Sequence, residues 1–83
     1  MMKRIHSSKN KVVGIKQTRK AIKEGRAEVV YLAKDVDQHL FREIKKLCED
    51  HHIEIYYAET MKELGKACSI DTKAATAAIL SNQ

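Results

Sequence analysis

Apolar positions along this chain recur at two spacings, and they divide it into alternating strands and helices. Val12 and Val13 form a short apolar pair ahead of Gly14 and read as a brief strand. Beyond it Ile15, Thr18 (through its methyl), Ala21 and Ile22 recur at helical spacing, and Gly25 is a natural C-terminal stop for a helix over residues 15–24. Val29-Val30-Tyr31-Leu32-Ala33 is an unbroken apolar run rich in β-formers, the pattern of a strand covered on both faces. Asp35 and Asp37 both suit an N-cap, and the following helix is the clearest element of the chain. Leu40, Phe41, Ile44, Leu47 and Cys48 trace its apolar face, while Arg42, Glu43, Lys45, Lys46 and Glu49 take the other. Ile53, Ile55 and Tyr57 then alternate with Glu54 and Tyr56, which predicts a strand.

Thr60-Met61-Lys62-Glu63 has the form of a capping box and starts a third helix, with Met61, Leu64, Ala67 and Cys68 turned inward. Ser69, Ile70, Asp71, Thr72 and Lys73 read as a loop. The tail Ala74-Ala75-Thr76-Ala77-Ala78-Ile79-Leu80 fits two structures. Alanine propensity favours a helix, yet small residues also suit a central strand beneath packed helices. Residues 3–9 are read as a short helix. The βαβαβα alternation with short connections predicts a three-layer α/β/α domain.

Length holds this to one domain over residues 1–83. A chain of this size buries only roughly 60–65% of its unfolded surface, so the core is small. Its 43% hydrophobic and 33% charged residues describe a globular chain. There is no apolar run long enough for a membrane span, and the start Met-Met-Lys-Arg-Ile-His lacks the apolar stretch of a secretory signal. The expectation is a cytosolic protein, a monomer, without cofactor or metal. Cys48 and Cys68 are too few for a zinc site or disulfide scaffold, and both fall on apolar stripes, so they are expected as reduced buried thiols. His51-His52 stands at a helix end, where imidazoles can hydrogen-bond terminal carbonyls. No Ser-His-Asp or Cys-His arrangement and no phosphate-cradling glycine loop is present, so an enzyme is not expected.

Charge narrows the picture. Nine of the sixteen Lys and Arg residues lie in the first 26 positions, where Glu24 is the only acid; that segment carries +8 and the remainder −3. The basic segment contains Gly14-Ile15-Lys16-Gln17-Thr18-Arg19-Lys20, a glycine opening a short cationic helix. The orphan amides of a helix start favour phosphate, and Lys16, Gln17 and Lys20 offer donors suited to a groove. Arg19 and Lys23 flank them as candidate phosphate contacts. The charge pattern by itself is also that of an ordinary solvated helix face, or of a generic polyanion binder.

Four blocks carry a resemblance. Gly-Ile-Lys-Gln-Thr-Arg-Lys at 14–20, Val-Val-Tyr-Leu-Ala-Lys-Asp-Val-Asp at 29–37, Leu-Cys-Glu-Asp at 47–50 and Met-Lys-Glu-Leu-Gly-Lys-Ala-Cys-Ser-Ile-Asp at 61–71 occur in an order and spacing that resemble the kink-turn-binding ribosomal protein family. The similarity is closest to its small bacterial members of the YbxF type, and it extends from about Val12 to Leu80. It implies that the alanine-rich tail is the last strand of a four-stranded mixed sheet. It also implies a partner, the kink-turn, a helix–internal loop–helix RNA element with tandem sheared G·A pairs, met in ribosomal or regulatory RNA.

An A-form major groove is normally too deep and narrow for a helix, so a groove widened by the bend would be selected. Carried over by position, Gly14 would allow close approach, and Lys16, Gln17 and Lys20 would meet the G·A guanines and nearby backbone. Ser69, Ile70, Asp71, Thr72 and Lys73 would pack on unstacked nucleotides, with Ile70 either an apolar contact or merely a cap on the core, and Lys73 a phosphate contact. The chain departs from the family at three points. Archaeal members have Asn-Glu where this chain has Lys16-Gln17, and the family often has Gly in place of Ser69 and Pro in place of Gln38. The competing expectation is a protein-interaction or ribosome-assembly factor on the same fold, without specific RNA recognition.

Overall fold

The computed structural model describes residues 10–81. The short helix expected at residues 3–9 lies outside the described residues. Seven elements follow in the order β1 (Lys11–Val13), α1 (Ile15–Lys23), β2 (Ala27–Ala33), α2 (Gln38–Asp50), β3 (Glu54–Ala58), α3 (Met61–Ala67) and β4 (Thr76–Leu80). The sheet order is β1-β4-β2-β3. β4 runs antiparallel to both its neighbours, while β2 and β3 are parallel, so the sheet is mixed. The alanine-rich tail is thus a strand. Thr76, Ala77, Ala78 and Ile79 are all buried in it, which only a strand packed on both faces requires of such small residues.

Two cores flank the sheet. Alternate residues of β2 separate them: Val30 and Leu32 join Ile22, Ile44 and Cys48 under α1 and α2, while Val29 and Tyr31 join Leu64, Cys68 and Ala77 under α3. This is the three-layer α/β/α sandwich. Burial pushes the Cys48 thiol up to about 11 and raises that of Cys68 as well, so both stay protonated.

Local signals set the boundaries. Gly25 (φ 71) closes α1, with its amide on the Ile22 carbonyl at 3.1 Å and that of Arg26 on Ala21 at 2.9 Å. At the end of α2, His51 Nδ1 lies 3.0 Å from the Leu47 carbonyl oxygen. Thr60 Oγ1 accepts from the Glu63 amide at 3.0 Å and caps α3. The start of α2 differs from expectation. Asp37 holds the N-cap position but makes no side-chain cap bond. Asp35 instead turns its carboxylate to another helix and accepts from the Met61 amide at 2.8 Å, tying the β2–α2 loop to the start of α3.

Candidate nucleic-acid interface

Gly14 sits where β1 passes into α1, with φ 108 and ψ 161. Its amide donates to the Thr76 carbonyl at 2.9 Å, and its own carbonyl accepts from Thr18 at 3.0 Å. The helix start is therefore anchored to the central strand, while the amides of Ile15, Lys16 and Gln17 precede the first intrahelical bond and point outward. A Cβ on Gly14 would meet nothing within 4 Å, so glycine is required there by the positive φ rather than by crowding.

Around this start Lys16, Gln17, Lys20 and Lys23 are exposed. Lys16, Lys20 and Lys23 line one shallow depression of about 340 Å³ together with Arg19 and Glu24. Gln17 lies outside it. It is exposed three positions before Lys20, as Lys23 is three positions after it. Ile15 shares the helical spacing of Thr18, Ala21 and Ile22, but it is 37% exposed, unlike those three buried residues.

Arg19 is already engaged. Its guanidinium grips Glu43 of α2 through two bonds, Nε to Oε2 at 2.7 Å and Nη2 to Oε1 at 2.9 Å. That hydrogen bonding holds the Glu43 carboxyl below its ordinary value against the opposing effect of burial, with the charges of Arg19, His39 and Lys23 adding to the shift. Arg19 thus braces α1 on α2 and sets the orientation of the lysine row.

The loop after α3 is held as firmly. Cys68 caps the helix, Ser69 follows in the left-handed region (φ 64), and the Ile70 amide returns to the Gly65 carbonyl at 3.1 Å. Gly65 makes this return possible: a Cβ there would run into the Thr72 carbonyl oxygen, so the loop backbone lies directly on the helix. Ala74 then bonds the Met61 carbonyl at 3.0 Å and feeds the chain into β4.

Because β4 lies beside β1, the loop comes to rest next to Gly14. An open groove of about 490 Å³ runs between them, with Gly14 and Ile15 on one wall and Ile70, Thr72 and Lys73 on the other. Val13, Met61, Ala74 and Ala75 complete its apolar lining. Ile70 packs against the α3-side core and also lines the groove. Ser69 and Asp71 are exposed but do not line it. Sequence reasoning missed Val13, Ile15, Met61, Gly65 and Glu43. A glycine in the middle of a helix was the available signal for Gly65; no pattern along the chain marked Glu43. Among the described residues no three His, Cys, Asp or Glu side chains gather as a metal site, and no helix is long and apolar enough to cross a membrane.

A family model described as the ribosomal protein L7Ae/L30e/S12e/Gadd45 family matches residues 1–83. The chain belongs to this family. Among relatives of this L7Ae-family chain, an RNA-binding protein of Caldanaerobacter subterraneus is 52% identical over 68 residues, covering 82% of this chain and 83% of that protein. The RNA-binding protein YbxF of Geobacillus stearothermophilus is 39% identical over 69 residues, covering 83% and 84%. The fold of this chain is shared by the Giardia lamblia 15.5kD RNA binding protein, with a TM-score of 0.84 at 24% identity over 99% of this chain and 69% of that one.

Proposed function

We propose that this L7Ae-family chain is an RNA-binding module that recognises kink-turns and holds them bent. The groove carries the reading: it joins the helix start at Gly14 to the loop at Ile70, Thr72 and Lys73, two segments that the family resemblance independently assigns to RNA. Apolar walls suit the faces of unstacked bases, and the free amides of Ile15, Lys16 and Gln17 suit a phosphate. Lys16, Lys20 and Lys23 beside the groove supply cations for the adjoining backbone. Names borne by the relatives point the same way. The mechanism is selection: only the bent conformer fills the groove, so binding draws the RNA equilibrium toward it. The role is one of binding rather than catalysis, in the cytosol, on ribosomal or structured regulatory RNA.

The test compares three RNAs at two salt concentrations: a kink-turn, the same RNA with its G·A pairs made Watson–Crick, and a plain duplex. Preference for the kink-turn that survives higher salt is expected. Equal affinity for all three, collapsing with salt, would reduce the protein to a generic polyanion binder. Binding to none of them would favour a protein-interaction or assembly role.

A further inference from the structure

Two large apolar side chains are exposed among the described residues, Ile15 at 37% and Tyr57 at 41%. Ile15 belongs to the groove; Tyr57 does not. The Tyr57 ring lies nearly flat on that of Phe41 from α2, with centroids 5.6 Å apart and planes 18° from parallel. Phe41 is itself half-buried and packed against the core under α2, so the upper ring rests on one anchored in the fold.

Its position gives it meaning. Gly14 bonds Thr76, Thr76 pairs with Leu32, and Leu32 pairs with Tyr57. Gly14 and Tyr57 therefore occupy one row across the sheet, at the carboxyl end of the parallel strands, three strand spacings or roughly 14 Å apart. Lys45 is exposed one helical turn beyond Phe41, and Arg42, next to Phe41 in sequence, is exposed on the flank of the same helix.

We propose that Tyr57, fixed by Phe41, is a stacking platform for an unpaired base of an RNA strand leaving the groove, with Arg42 and Lys45 meeting its phosphates. A ring already held in place loses little freedom on binding, and every base offers a π-face, so the contact is tolerant of sequence. Arg42 and Lys45 offer cations to a single strand, while Glu43 on the same helix is held by Arg19.

The inference rests on the RNA reading of the groove, and the two fail separately. The test uses a kink-turn RNA with a blunt stem and the same RNA carrying a four-nucleotide single-stranded tail, against the wild-type chain, Tyr57→Leu and Tyr57→Phe. The tail should strengthen wild-type binding about tenfold, the lower part of the range for one stacked base. Tyr57→Leu should lose that gain and leave blunt-stem affinity unchanged; Tyr57→Phe should keep it. If the tail adds nothing, or if Tyr57→Leu weakens both RNAs alike, the platform is wrong while the groove reading stands. If neither RNA binds, the groove reading fails, and a uridine oligonucleotide decides the platform. The chain has three Tyr and no Trp, and Tyr57 is the exposed one. Quenching of tyrosine emission in the wild type and not in Tyr57→Leu supports the platform; no quenching in either overturns it.

Discussion

Gly14 shows how much one backbone angle decides. Its φ of 108 keeps the start of α1 aimed away from β1 while its amide stays on Thr76. Gly14→Ala should lower stability by about 1–3 kcal/mol through strain, although nothing blocks the methyl; a denaturant melt with unchanged slope measures it. Two exposed side chains on the same helix test the proposed division of base from backbone contact. Gln17→Ala should weaken the preference for kink-turn over duplex. Lys23→Ala should weaken every RNA alike and lessen the salt slope by about one. Identical behaviour of the two variants in those titrations would undo the division. At this scale the chain was only partly legible. The place of Gly14 between a strand and a helix was legible, but its positive φ, the exposure of Ile15 and the turn of Asp35 toward Met61 were not, the last because its partner lies 26 positions away.

Elements were read with more success, because each announces itself by its own periodicity. The strand at Thr76–Leu80 was the exception: its alanines satisfy helix and strand alike, and what settles it is burial between two helical layers. The connections between elements were not legible at all. The Arg19–Glu43 pair joins α1 to α2 across 24 positions. Glu43 titrates below its ordinary 4.5, so the pair contributes stability above that value and loses it as pH falls through the folded-state value. Both side chains are about one-third exposed, and Glu43→Gln should cost no more than about 1 kcal/mol at neutral pH. The gap between wild type and Glu43→Gln should close in melts taken progressively below pH 4.5. Gly65→Ala should be far harsher, since the methyl would displace the Thr72 backbone. A loss of at least about 2 kcal/mol is expected, with faster hydrogen exchange at Ile70 and Ala74, whose amides hold the loop on α3.

For the molecule as a whole, the charge asymmetry visible along the chain becomes a surface. The lysine row of α1 opens beside the groove, and Lys73 closes the far wall. The groove could not be foreseen from periodicity or spacing, because its walls are more than fifty residues apart and meet only through the sheet order β1-β4-β2-β3; the family resemblance paired the two segments without showing how they touch. That order has a consequence for biosynthesis. Of the four strands described, β4 is made after the others and stands second in the sheet, filling the slot between β1 and β2. Until it is made, both of those strands present open edges with no partner between them, and the first three strands cannot form one sheet. The domain should therefore stay unstructured through most of translation and then fold in one late step. A chain ending at residue 75 should give the circular dichroism of an unfolded peptide, not of a protein with a frayed end.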